Sequence, residues 1–135
     1  MLLSSLFARA SSLPHKVEVF YDSDIKGVEE VVIEGVDLKY FMLDKGDKLT
    51  SSLDDILPTD LKSAAKFMNE YSNSPEGKTK IRAIVDGYQG VGRAYGVGVK
   101  KLPAIVFDEE YVVYGTTNVK DALKLWKELK GKAHE

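Results

Sequence analysis

Apolar and polar residues alternate along residues 16–22 (KVEVFYD), with Val17, Val19 and Tyr21 on one side and Glu18, Phe20 and Asp22 on the other. A period of two marks a half-buried strand, and this one is expected to be the first and central strand of a sheet. Residues 37–44 (DLKYFMLD) form the next, with Leu38, Tyr40 and Met42 on one face. Between them, the consecutive β-branched residues Val31, Val32 and Ile33 favour an extra extended segment over a short helix. Residues 45–48 read as a polar turn. Residues 49–57 and 60–71 then read as helices, the second capped by Thr59 or Asp60 and striped by Leu61, Ala64, Ala65, Phe67 and Met68. Pro58 sits at their junction, where a helix can begin but not continue. After a turn at residues 72–77, a third helix runs to about Tyr95, with Ile81, Ile84, Val85, Tyr88, Val91 and Tyr95 at spacings of three and four. Gly87, Gly90 and Gly92 lie inside it. Each costs about 1 kcal/mol relative to alanine, so either they admit a close neighbour or the helix breaks there.

The C-terminal third carries the strongest pattern. The apolar run AIVF at residues 104–107, the acidic break Asp108, Glu109 and Glu110, and the run YVVY at residues 111–114 predict a β-hairpin. Pro103 stands at the first position of the first strand, where its missing N–H does no harm. Gly115 to Asn118 turn the chain, and Thr117 or Asn118 can cap a closing helix striped by Val119, Ala122, Leu123, Leu125, Trp126 and Leu129. The order is strand, connection, strand, helices, hairpin, helix. It predicts an α/β fold of thioredoxin-like plan: a central mixed sheet of about four strands flanked by helices, enlarged by helices between the second strand and the hairpin. In that plan the bond before Pro103 is expected to be cis.

Composition narrows the chemistry. The 135 residues are 44% apolar and 30% charged, with a net charge of −2, which fits one soluble domain without general affinity for nucleic acid. Residues 16–132 form that domain, and no stretch is long enough to span a membrane. Residues 1–15 read as a tail: Ala8, Arg9 and Ala10 resemble a signal-peptidase site, so a signal-peptide remnant and an irregular tail are both open. The absence of cysteine removes thiol-disulfide chemistry. Where a redox protein of this plan would carry its cysteine pair, this chain has Ser23, Asp24, Ile25 and Lys26. Ser23 and Asp24 are good N-cap types, which would keep a helix start there without the nucleophiles. His15 and His134 lack partners at metal-ligand spacing. The glycine-rich GVGRAYGVG lacks the Lys-Ser/Thr of a phosphate loop and precedes a strand instead of following one. The pairs Asp54–Asp55 and Glu109–Glu110, and the serines at 51–52 and 72–74, form no acid/base or nucleophile arrangement. No catalytic constellation, cofactor site or metal site is expected. The hairpin edge beside the proline loop can instead bind an extended chain, with Tyr95, Tyr111 and Tyr114 as natural contact residues.

Specific segments add a resemblance. The strand VEVFYDSD at residues 17–24 and the stretch at residues 88–123 are similar to a family of integrating conjugative element proteins. The matching pieces are Gln89–Gly90, Gly96–Val97, Leu102–Pro103–Ala104 and the run from Tyr111 to Gly115. The resemblance implies an exported, thioredoxin-like, non-enzymatic protein of the periplasm. Its role would be accessory to a conjugative apparatus related to type IV secretion, with other conjugation or pilus-assembly proteins as partners. Leu102, Pro103, Tyr111 and Tyr114 are then the candidate partner-binding residues. The alternative is a thiol-free chaperone or peptide binder descended from a disulfide oxidoreductase or isomerase.

Overall fold

The computed structural model describes residues 13–133. Four strands, β1 (Lys16–Tyr21), β2 (Asp37–Met42), β3 (Ala104–Phe107) and β4 (Tyr111–Tyr114), form one mixed sheet in the order β2-β1-β3-β4. Central β1 runs parallel to β2, from Lys16 opposite Asp37 to Tyr21 opposite Met42. It runs antiparallel to β3, from Val17 opposite Phe107 to Phe20 opposite Ala104. The β3–β4 hairpin closes the other edge. Helices α1 (Lys45–Asp54), α2 (Leu61–Asn73) and α3 (Pro75–Gly96) enlarge the stretch between β2 and the hairpin, and α4 (Val119–Ala133) ends the fold. The plan is thioredoxin-like, as the order of elements predicted, and the Leu102–Pro103 bond is cis.

Three local expectations need correction. Residues 45–48 are the first turn of α1, not a loop, because buried Gly46 lets the helix lie against the Tyr88 ring. Residues 72–77 are not a free turn either. α2 runs to Asn73 and α3 begins at Pro75 with only Ser74 between them. The Ser74 hydroxyl donates to the Tyr71 carbonyl at 2.7 Å and accepts from the Gly77 amide at 3.0 Å, satisfying groups at both helix ends. Third, no helix follows Ser23 and Asp24. Residues 26–33 run without helix, bend or ladder partner. The expected caps do form at Asp60, which accepts from the Ser63 amide at 2.9 Å, and at Asn118, which accepts from the Asp121 amide at 3.1 Å.

The two faces of the sheet pack differently. On one, Val17, Val19, Ile105, Phe107 and Val113 meet Val119, Ala122 and Trp126 of α4, with the Phe107 and Trp126 rings stacked at 5.8 Å. Val31 and Ile33 of the crossover cover the flank of this cluster. On the other face, Phe20 and Val106 meet Ala94 of α3, and Phe20 stacks on Phe41 at 5.1 Å. Here α3 is continuous through its glycines. A Cβ on Gly87 would lie 2.7 Å from the Gly46 nitrogen, and one on Gly90 would lie 3.2 Å from Phe41 and Leu43 side-chain atoms. The buried residues of α3 are Gly77, Gly87, Gly90 and Ala94, so its predicted apolar stripe is not its buried face. Val85, Tyr88, Val91 and Tyr95 are exposed instead. The stripe predicted for α2 likewise buries no residue fully, and Leu61 stands out in solvent.

The packing of the N-terminal stretch begins ahead of residue 16. Pro14 is buried, the His15 amide donates to Asp108 Oδ1 at 2.8 Å, and the Asp37 amide donates to the His15 carbonyl at 2.9 Å. Residues 1–12 of the tail read at residues 1–15 lie outside the described residues.

Candidate partner-binding surface

The strand register sends several chain turns to one end of the sheet. β1 leaves the sheet at Tyr21, and Pro103 lies one step beyond the Phe20–Ala104 pair, beside that exit. Opposite Ala104 stands Tyr114, and the Gly115 amide donates to the Pro103 carbonyl at 3.0 Å. This is the end at which a redox protein of this plan would carry its thiols.

Residues 22–25 turn tightly here. The Ile25 amide reaches the Asp22 carbonyl, and the Asp24 amide reaches Asp22 Oδ1 at 3.0 Å. Ser23 is clamped to Asp44, at the entrance to α1, by its amide (3.1 Å) and its hydroxyl (2.5 Å). The Ser23 hydroxyl holds the Asp44 carboxyl below the usual range, because a donated hydrogen bond favours the ionised acceptor. Ser23 is therefore a tether. Its proton is committed to a carboxylate that also fixes where α1 begins, so the position once expected to open a helix secures a different one.

Of the residues expected to bind a partner, the structure brings three together. Leu102 is half-buried against the Phe20–Val106 cluster, and cis Pro103 follows it. The Tyr114 hydroxyl accepts from the Lys100 amide at 3.1 Å, and the Lys101 ammonium lies 5.3 Å from the Tyr114 ring centroid. Tyr111 is separated from these. It pairs with Phe107 and packs on the Trp126 side of the sheet, because residues three apart on a strand face opposite ways. Tyr95, 88% exposed in the last turn of α3, stands clear of the core.

Two polar groupings were not legible from spacing. Glu18, only 1% exposed, is held bidentately by Arg93 at 2.5 and 2.8 Å, and Arg93 also reaches Glu109 at 2.6 Å. The guanidinium holds the Glu109 carboxyl below the usual range, and the two carboxylates raise the Arg93 pKa. Glu109 sits at the hairpin tip with a positive φ of 61°, so the tip is tied to the middle of the sheet rather than merely solvated. The buried Glu18 inside an alternating strand was the signal available, since a buried carboxylate needs a partner.

The second grouping brings a lysine onto one of the serines without making the nucleophile arrangement that the sequence also lacked. Lys80 donates to Ser52 Oγ at 2.5 Å, and Ser52 in turn donates to the Leu49 carbonyl at 2.7 Å. A serine nucleophile must give its proton to the base. Here the proton points to the backbone and the lysine is the donor, so the pair links α3 to α1.

His15 is exposed, and His134 lies outside the described residues. Among the described residues, no cluster of His, Cys, Asp and Glu is arranged to hold a metal ion, and no helix is long and apolar enough to cross a membrane.

A family model described as a protein of unknown function (DUF1525) matches residues 15–132. No curated protein and no solved structure matches the chain.

Proposed function

We propose that this chain, which belongs to the DUF1525 family of proteins of unknown function, is a non-enzymatic accessory component of a conjugative transfer apparatus. It acts in the periplasm through contacts with other conjugation or pilus-assembly proteins. The resemblance of residues 17–24 and 88–123 to integrating conjugative element proteins supplies the setting. The observation that carries the molecular role is the end of the sheet holding Ser23, Pro103 and Tyr114. There the proline loop is tied to the end of β4 by the Gly115 amide, and the hydroxyl at the position where a redox protein of this plan carries a thiol is engaged by Asp44. Such a surface recognises and does not react. Leu102, Pro103, Tyr114 and the neighbouring Lys101 are the contact residues, with Tyr95 as an apolar, polar-tipped anchor of the kind enriched in interfaces.

Deletion of the gene from the element, scored for mating frequency and pilus formation, tests this reading. Transfer should fall, be restored by the wild-type chain, and be restored poorly by Tyr95→Ser combined with Lys101→Glu. Unchanged transfer after deletion would overturn the conjugative role. Capture of many unrelated unfolded chains, in place of one transfer protein, would favour the chaperone-like alternative.

A further inference from the structure

The crossover between β1 and β2 has the chemistry of a strand but no strand beside it. Between Gly27 and the turn that the Val36 amide closes on the Ile33 carbonyl at 3.1 Å, the chain runs without helix, bend or ladder partner through the β-branched residues Val31, Val32 and Ile33. Burial alternates as in a sheet: Val31 and Ile33 turn inward, while Glu30, Val32 and Glu34 turn outward, with Val32 95% exposed. The Tyr40 hydroxyl serves one side of this backbone, accepting from the Val31 amide at 3.1 Å and donating to the Glu29 carbonyl at 3.3 Å. The backbone groups of Val28, Glu30 and Val32 have no partner among the described residues. Unlike β4, whose four residues form a short edge, this stretch is not blunted by proline, bulge or lysine within it.

We propose that residues 28–33 are a docking edge to which an extended, basic peptide segment of a partner protein adds as a strand. Main-chain hydrogen bonds to Val28, Glu30 and Val32 supply the register. Charge decides the occupant. Glu29, Glu30 and Glu34 are exposed and form no ion pair among the described residues, so a lysine or arginine opposite Glu30, another reaching Glu34, and an apolar side chain opposite Val32 complete the cross-strand pairs. The inference rests on the partner-binding reading above and names a surface for it.

The test uses the full chain and two fluorescein-labelled heptapeptides, Thr-Lys-Thr-Val-Thr-Lys-Thr and the same sequence with glutamate for lysine. Anisotropy should show the basic peptide binding about tenfold tighter than the acidic one. Amide exchange at Val28, Glu30 and Val32 should slow when it binds. Val32→Pro removes an amide at the free edge and should weaken binding about tenfold with the circular dichroism spectrum unchanged. The double variant Glu30→Lys/Glu34→Lys should reverse the preference between the two peptides, and it decides the matter if the proline variant proves misfolded. Equal binding of both peptides, protection on β4 instead, or concentration-dependent protection of residues 28–32 without peptide would overturn the proposal, the last by making a second copy the occupant. A Val32→Pro chain that restores mating fully would remove this edge from the transfer role while leaving that role standing, whereas unchanged mating in the deletion strain strikes the role alone.

Discussion

On the α4 side of the sheet, large side chains interlock: Val17, Val19, Ile105 and Phe107 against Val119, Ala122 and Trp126. On the α3 side, contact comes from near absence of side chain. Gly87 and Gly90 bring the helix onto Gly46, Phe41 and Leu43, and the ion pair of Glu18 with Arg93 crosses from strand to helix. The first face draws its stability from buried apolar area. The second depends on clearance and on one polar match, so it should be indifferent to lost volume at exposed positions and intolerant of an added methyl group at the buried ones.

The sharpest break of the α4 side is Trp126→Ala, which leaves the Phe107 ring without its stacking partner. It should lower stability by about 3–5 kcal/mol in urea titration. The α3 side has its counterpart in Arg93→Met, which strands the buried Glu18 carboxylate. A loss of about 3 kcal/mol is expected, the low end for a broken buried pair because Arg93 itself keeps contact with water. Glu18→Met added to Arg93→Met should recover most of that loss, since two apolar groups leave no charge behind.

Smaller changes sharpen the clearance argument. Gly87→Ala should cost about 1–3 kcal/mol through backbone collision with Gly46. Gly92→Ala, on the same helix where a Cβ would meet nothing, should instead stabilise by about 0.5–1 kcal/mol. Equal effects of the two glycine replacements in thermal melts would refute the close-approach account.

The pH dependence is the mildest expected effect. Glu109 and Asp44 are held below their ordinary values of 4.5 and 3.8 by Arg93 and Ser23 respectively. Groups whose pKa falls on folding stabilise the folded chain above those ordinary values. That contribution is lost as pH drops through the lowered folded-state values. The urea midpoint should therefore be flat near neutrality and decline below about pH 4.5. Ser23→Ala should make the acid decline shallower.

Much of the architecture could be read locally. The alternation in β1, the AIVF and YVVY runs with their acidic tip, and the caps at Asp60 and Asn118 are properties of a few adjacent residues, and folding leaves them as read. Helix α3 was legible as a helix but not in its orientation, because hydrophobic periodicity assumes that bulky residues face the core. Glycines reverse that assumption when another backbone comes close enough to need their missing Cβ. The site was legible only in part. Pro103 and Ser23 could be placed at one end of the sheet from the element order, whereas the separation of Tyr111 from Tyr114 required the register of β4.

What the chain determined by itself is the order of its strands and helices and the lack of thiol chemistry, since periodicity, caps and residue types act over a few positions or are simply counts. Only the tertiary structure decided that Ser23 is tied to Asp44, that Lys80 donates to Ser52, that Glu18 meets Arg93, and that the crossover finds no ladder partner. Those are pairings between groups 21 to 75 residues apart, or a lack of one. Loop closure at such separations leaves no periodic trace in the sequence, and the partners become defined only once the sheet and helices have set the distances.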